Sequence, residues 1–374
     1  MAEERAGRTV RSGRPPRAGF RGWRRIAVAA ALVLVACVCA MWPSADAGRD
    51  PAATAAPVAP LAAPSSVPGC ELGTYVNDLY DLDPAKRVFS ARLYLWSICP
   101  DPKLDPLPTA AFTNADDPEK GDPVLTSEAG RFRDLMLLQG TFRQDWDVRA
   151  FPFDRQRIEV LVTAAAESRT FRMLPDNVNS TYNREIRPAG WRITGFRLEP
   201  AQRVYPTNFG DVTLPPGATS TYSRIRVQID LARDDPTVFW KLTGPLFLMV
   251  LVVTATFLLP AHTEALGMGE RLNSLQSRLA MLAGGLFVVM LNMQQVNTVI
   301  TSTVGLTLLD WLHLLTLGFL LLAVVATVLS WRWTVHGGSA DQAGRWNRLV
   351  ATAGLAGYLA ITLALVWSFA ARAG

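Results

Sequence analysis

Two periodicities divide the chain. Between residues 69 and about 235, short runs alternate apolar and polar positions: 74–80, 88–96, 157–162, 191–196 and 222–229. Period-two alternation is the mark of strands that bury one face. Clusters of Pro, Gly, Asn and Asp separate these runs, and no stretch of helical period lies between them. The pattern predicts an antiparallel, immunoglobulin-like β-sandwich. Beyond it the period changes. Residues 242–260, 279–296, 306–331 and 349–371 are apolar and nearly free of charge, each close to the length needed to cross about 30 Å of hydrocarbon. An all-β sandwich followed by a four-helix transmembrane bundle is the predicted architecture, with domains at 69–236 and 237–374.

The N-terminal part carries targeting information. A basic stretch over residues 5–25 precedes an apolar run at 26–41, and Ala45-Asp46-Ala47 follows as a small-x-small pattern. Residues 1–47 therefore read as a signal peptide or a retained signal anchor. Leu34-Val35-Ala36-Cys37 resembles a lipobox, although the apolar run continues past it. Residues 48–68, rich in Ala and Pro, read as a flexible linker. Charge then predicts topology. Arg271 and Arg278 follow the first span, and Arg332, Arg345 and Arg348 follow the third, whereas 297–305 carries no charge. The positive-inside rule assigns the first and third connections to the cytoplasm and the sandwich to the outside. A multi-pass protein of the cell (inner) membrane with a periplasmic or extracellular domain is expected.

Composition narrows the chemistry. Hydrophobic residues make up 49% of the 374 and charged residues 18%, the balance of a membrane protein. The net charge of +5 owes much to the basic leader, so no nucleic-acid partner is expected. His262, His313 and His336 have no partner at metal-ligand spacing, and no phosphate-binding glycine loop or nucleophile elbow occurs. The reading is that of a non-enzyme without metal or cofactor. Of four cysteines, Cys37 and Cys39 sit in the leader. Cys70 and Cys99 lie equally far from the centre of a predicted hairpin turn, Asp83-Pro84-Ala85-Lys86. Antiparallel pairing would set them opposite one another for a disulfide; two unpaired thiols are the alternative.

Three motifs carry a resemblance. Residues 142–158 contain Phe151-Pro152-Phe153-Asp154, whose Phe–Pro bond is open to the cis form. Arg233 stands twelve residues before Pro245, and Leu306-Thr307-Leu308-Leu309-Asp310 opens the third span. Together they resemble the pentameric ligand-gated ion channels of the Cys-loop receptor superfamily, specifically the prokaryotic members, over about residues 70–371. Gln144 and Ile158 stand where animal relatives carry two cysteines. The chain departs from the pattern in three places. Cys99-Pro100-Asp101 replaces a Trp-x-Asp signature, with Trp96 displaced; 101–131 is short; and the proline after the pore helix is replaced near Thr301.

The resemblance implies a homopentamer in membrane lipid that conducts inorganic ions when a small-molecule or proton agonist binds. It implies coupling through an Asp154–Arg233 bridge with Phe151, Pro152 and Asp81 or Asp83, facing 297–305, a bridge that reversing both charges should preserve. The second helix would run from about Arg278 to Asn297, with Gln276 and Ser277 at its cytoplasmic mouth and Arg278 at the entrance; a register starting at Glu270-Arg271 is the alternative. Ala280, Gly284, Phe287, Leu291 and Gln294 would line the pore in a stripe of about 3.5 residues. Tyr205, Phe209 and Tyr222, on or beside the 200–219 loop, would bind an ammonium ligand through cation–π attraction, with Tyr94 and Trp96 from the facing subunit. Asp310 and His313 lie one turn apart at the outer end of the third helix. A non-conducting sensor or scaffold of the same architecture is the competing expectation.

Overall fold

Alternation in sequence becomes two sheets. A computed structural model describes residues 67–258, 268–299, 306–336 and 339–373. The N-terminal basic and apolar run, nearly all of the linker, and residues 300–305 of the second connection lie outside those residues. The strands are β1 (Gly69–Asp83), β2 (Val88–Cys99), β3 (Ala111–Phe112), β4 (Ala115–Lys120), β5 (Val124–Glu128), β6 (Arg131–Arg143), β7 (Arg155–Glu167), β8 (Arg172–Pro175), β9 (Thr181–Tyr182), β10 (Trp191–Tyr205) and β11 (Ser220–Arg233). The first sheet has the order β4-β6-β2-β1-β8, with β5 on β6 and β9 on β1; the second has the order β10-β11-β7-β3. On β2, odd-numbered residues from Phe89 to Cys99 are buried while Arg92, Tyr94, Trp96 and Ile98 face outward. Leu72, Val76, Leu93, Leu95 and Leu138 of the first sheet and Ile158, Val160, Val162, Ile225, Val227 and Ile229 of the second are almost wholly buried. Their burial is the main driving force for a β-sandwich of this kind.

The β1–β2 hairpin holds a detail that the sequence expectation missed. Its last pair is Asp83 with Val88, so the turn comes one residue later than expected. Two irregularities on β1, between Val76 and Asp78 and between Tyr80 and Asp83, each insert one residue. Asp81, in the second, adopts φ of 50°, the left-handed region that bulges use. Beyond both bulges the register brings Glu71 opposite Ile98. The next pair is Cys70 with Cys99, joined in a buried disulfide with Cα atoms 4.5 Å apart.

Four helices follow: α1 (Thr237–Leu258), α2 (Met268–Val299), α3 (Leu308–Val335) and α4 (Ala340–Ala373). All four are long and apolar enough to cross a membrane, and the chain is a multi-pass membrane protein by that criterion. A polar network joins three of them. Pro245 has no N–H to offer the Lys241 carbonyl one turn earlier. Beside this gap, buried Asn292 on α2 donates from Nδ2 to the Leu242 carbonyl at 2.8 Å and to His313 Nε2 at 3.0 Å. His313 on α3 is fully buried and donates from Nδ1 to the Leu309 carbonyl at 2.7 Å. The imidazole is thereby held in the Nδ1–H tautomer, with both nitrogens satisfied inside the bundle. His313 is thus an interior residue, whereas the sequence put it at a helix end beside Asp310. Asp310 does serve the helix start, in a capping box with Thr307.

Gly73 tests the packing of the outer face of β1. A Cβ there would stand 2.2 Å from the Trp96 ring, whose Nε1 donates to Asp176 at 3.1 Å. Gly73→Ala is expected to displace the indole, break that hydrogen bond and cost about 1–3 kcal/mol. Thermal unfolding of the full chain in detergent measures the loss, and an unchanged midpoint would refute this account of the close approach.

Candidate functional site

The foot of the sandwich is built by extending two alternating rows past the apolar core. On β7 the inward positions run Gln156, Ile158, Val160 and Val162; on β11 they run Ile225, Val227, Ile229 and Leu231. Arg155 pairs with Ala232, so the next rung sets Asp154 against Arg233, both on the inward side. Arg233 Nε donates to Asp154 Oδ1 at 2.7 Å, and Gln156 Nε2 donates to Asp154 Oδ2 at 2.8 Å. The carboxylate is 1% exposed and the guanidinium side chain 17%. Across the other edge of β11, Trp191 pairs with Arg233. The guanidinium carbon lies 4.3 Å from the Trp191 ring centre and 4.4 Å from that of Phe151. Arg233 therefore sits between two aromatic faces with a buried carboxylate at its end, a setting that strengthens both the ion pair and the cation–π contacts. Trp146 adds a further ring 5.7 Å from Trp191.

The loop that supplies Asp154 also touches the helices. Its Phe151–Pro152 bond is cis. Phe153 meets Phe239 of α1 at 5.5 Å between ring centres. The Arg149 carbonyl accepts from the backbone N–H of Leu308, the first residue of α3, at 2.9 Å. Gln156 closes the loop internally, donating from Nε2 to the Asp147 carbonyl at 2.7 Å and accepting from the Asp147 N–H at 3.0 Å. Hydrogen bonding from Arg149 holds the Asp147 carboxyl below its ordinary range, against the opposing effect of burial. One loop thus binds the last strand of the second sheet, the first helix and the start of the third.

Asp81 and Asp83 do not join this cluster. Asp83 accepts at Oδ1 from the Lys86 N–H at 3.0 Å and pairs through Oδ2 with the Lys86 ammonium at 3.1 Å, contacts that lower its pKa, the backbone hydrogen bond most. Asp81 is exposed in its bulge. Among the described residues neither is bonded to Arg233. Their turn needs its own carboxylates: one caps the backbone and one occupies a left-handed position that Asp tolerates. Most of the connection that the bridge was expected to face lies outside the described residues. Position 154 lies in a buried niche tied to Gln156, while 233 lies between two rings, so the two sides of the bridge have different surroundings.

Helix α2 is described from Met268, ten residues before the expected start and close to the alternative start at Glu270-Arg271. Helix-favouring Met, Glu, Arg, Leu and Gln residues carry it through 268–276. Gln276 and Ser277 are consequently inside the helix. Arg278 is buried, with its guanidinium 5.4 Å from the Phe257 ring of α1, so it turns into its own bundle and not toward an entrance. The buried residues Arg278, Leu282, Val289, Asn292 and Val296 form one face. Ala280, Gly284, Phe287, Leu291 and Gln294 are all exposed, Phe287 by 65% and Leu291 by 48%. At 3.6 residues per turn the two stripes lie about 180° apart.

Tyr205, Phe209 and Tyr222 come together at the β10–β11 hairpin, with ring centres 5.1, 5.7 and 6.1 Å apart in edge-on contacts. Arg203 lies 5.2 Å over Tyr205. Tyr94 and Trp96 lie on the outward face of the other sheet and share no ring contact with the trio among the described residues. Trp96 donates to Asp176 at 3.1 Å and lies against Gly73 within its own chain.

Sequence reasoning missed Gln156, Trp146, Trp191 and Asn292. The first had a signal: carrying the alternation of 157–162 back from Ile158 in two steps of two would have put Gln156 and Asp154 on the inward face. Asn292 also had one, as the first of three amides, with Gln294 and Gln295, in the apolar span 279–296. The two tryptophans had none, because only strand register brings them to Arg233.

Arg233→Lys keeps the charge but loses the planar stack and the fixed Nε donor. It is expected to destabilise the sandwich by about 1–3 kcal/mol, while Arg233→Ala, which strands a buried carboxylate, costs about 3–5 kcal/mol. Thermal unfolding ranks the two, and a lysine variant as stable as wild type would show the aromatic clamp to be idle. No protein-family model matches the chain and no curated protein matches it, so the reading of this site rests on its geometry.

Proposed function

We propose that the chain is one subunit of a pentameric ligand-gated ion channel of the prokaryotic type. In this reading an immunoglobulin-like sandwich stands outside the membrane, α2 lines a central path for inorganic ions, and the protein is not an enzyme. The observation that carries the proposal is the two-faced character of α2. One face packs against its own bundle, and the opposite face is left unfilled by any other part of the described chain. The composition of that free face fits water better than lipid. Asn273, Gln276 and Ser277 lie toward one end and Gln294 and Thr298 toward the other, all exposed. Between them come Ala280, Gly284, Phe287 and Leu291. A lipid-facing stripe has no use for polar residues at intramembrane depth. A ring of such helices gives polar mouths and a dewetting apolar constriction at Phe287 and Leu291.

The foot of the sandwich supports the same reading. Asp154, Arg233, Phe151 and Pro152 would transmit movement of the sandwich to α1 and α3, which flank α2. The aromatic trio at the β10–β11 hairpin would take a small cationic agonist, with Tyr94 contributed by the adjoining subunit; a proton is the other agonist considered. The arginine asymmetry of the connections supports the outward orientation. A second reading, a non-conducting sensor or scaffold, is favoured by one observation: no charged residue lies on the free α2 stripe from Asn273 to Thr298, and Arg278 turns away from it.

Water-soluble thiol reagents separate these readings. In a background with Cys37 and Cys39 replaced by serine, single cysteines at 280, 284, 287, 291 and 294 are expected to react, while those at 282, 289 and 296 do not. Equal protection of both sets would exclude a water path. Phe287→Ala is expected to give a standing current in planar bilayers, and silence would favour the scaffold. Images of purified particles should show five subunits about one axis; any other rotational order ends the pentameric reading.

A further inference from the structure

The upper core of the sandwich contains a second acidic site that the channel reading does not use. Asp134 is the first buried residue of β6, on the inward row that runs from Phe132 through Met136 and Leu138. It pairs across the sheet with Ser97 of β2 on one side and Leu125 of β5 on the other. It is wholly buried. After Cys99 the chain makes a short 3-10 turn, Pro102–Leu104, with Asp101 accepting at its N-cap. This turn carries Asp105 back over the sheet. Asp105 Oδ1 accepts from Ser97 Oγ at 2.6 Å and from the Leu107 N–H at 3.2 Å. Leu107 is buried completely, so the returning loop is part of the core.

The two carboxyl groups meet there without a cation. Lys120 on β4 donates to the carbonyls of Leu107, Pro108 and Ala110, and Lys103, in the 3-10 turn itself, is exposed. Arg131, at the start of β6, is paired with Glu71 of β1, and Arg133 is exposed on the outward face. On β1 the loop meets the Cys70–Cys99 disulfide, which does not titrate, with Cys70 Sγ 3.4 Å from the Leu104 carbonyl oxygen. With both acids ionised, neither oxygen of Asp134 has a hydrogen-bond donor. With Asp134 protonated, its hydroxyl donates to Asp105, and the Ser97 and Leu107 bonds to Asp105 remain. Burial, then the hydrogen bond to Asp105 and the charge of Asp105, raise Asp134 to about 7. A metal ion is a poorer fit: hard cations want six or more oxygens, and no group of three potential ligands exists among the described residues.

We propose that Asp134 and Asp105 form a proton-binding latch that holds the 100–110 loop against the first sheet and releases it when the proton leaves. Deprotonation sets a wholly buried negative charge beside the half-buried charge of Asp105, and the loop bearing Asp105 is the element able to move away, since Asp134 is fixed in a ladder between β2 and β5. The direction of the pH effect follows. An unfolded aspartate titrates near about 3.9, far below the folded value. The folded protein therefore keeps a proton through the interval where the unfolded chain has lost it. The resulting stabilisation is complete below the unfolded value and is lost as pH rises through the folded one. The proposal does not depend on ion conduction, and its test uses none.

Infrared pH-difference spectra of the full chain in detergent read the proton directly. Between about pH 5 and 9, wild type is expected to lose one protonated-carboxyl band with a midpoint near neutrality. Asp134→Asn should delete that band, and Asp105→Asn should move its midpoint to lower pH. Hydrogen exchange of the 100–110 amides, corrected for intrinsic rate, should accelerate with rising pH in wild type and not in Asp134→Asn. If Asp134→Asn fails to form its disulfide, the Asp105→Asn shift decides the matter. Absence of a neutral-range band in wild type, its persistence in Asp134→Asn, or an unshifted midpoint in Asp105→Asn would overturn proton sharing. A titrating band without accelerated exchange would overturn the latch.

Discussion

The connection between β-domain and helices depends on a single guanidinium whose surroundings allow it little choice. Arg233 ends β11, and α1 begins four residues later at Thr237. Most of the ion pairs in the sandwich, such as Arg87 with Asp145 and Arg143 with Asp116, lie in largely exposed positions, where such pairs are worth about 0–1 kcal/mol. The Asp154–Arg233 pair differs in kind. Its carboxylate is removed from water, its second oxygen is held by Gln156, and the guanidinium is walled by Phe151 and Trp191. Desolvation makes that arrangement strict: all the partners must be present together, because any one left alone is an unpaired polar or charged group in an apolar setting. The point at which the chain enters the membrane is therefore fixed by the last rung of the second sheet.

Below that rung, the helices divide their surfaces. The α1–α2–α3 contact is specified by polarity, through Asn292 serving both a proline-disturbed helix and His313. Such groups have no water to turn to within an apolar bundle, so they define which helix faces meet. Once Asn292 must point inward, helical geometry sends the Phe287–Leu291 side the opposite way. The free face is a consequence of the satisfied one, and the proposed ion path follows from an amide placed on the other side of the same helix.

Much of this was legible before any coordinates. Alternation located β1, β2, β7, β10 and β11 but not β6 or the short strands, apolar length located the spans, and the resemblance named Asp154 and Arg233 as a pair. The remainder was hidden for identifiable reasons. The start of α2 was set too late because charged and amide residues at 270–276 interrupt the apolar pattern without interrupting the helix; propensity continues where hydropathy stops. Asp81 and Asp83 were assigned to the junction by likeness to a family, whereas local turn chemistry claims them. Asp105 and Asp134 are far apart in sequence and unremarkable in either segment. Only the Ser97–Asp134 rung and the return of the loop bring their carboxyl groups together, and no local pattern records a register.

The two bulges of β1 bear on how this register is checked. Each adds a residue to one side of the hairpin, and the turn itself is displaced by one, so the cysteines coincide only when all three offsets are present. If either bulge were smoothed away, Cys70 would slide past its partner and its side chain would swing to the opposite face of the sheet. The sulfur bridge thus acts as a tally of strand alignment: a molecule that has closed it has counted both insertions correctly, at the end of the sheet farthest from the turn where the count began.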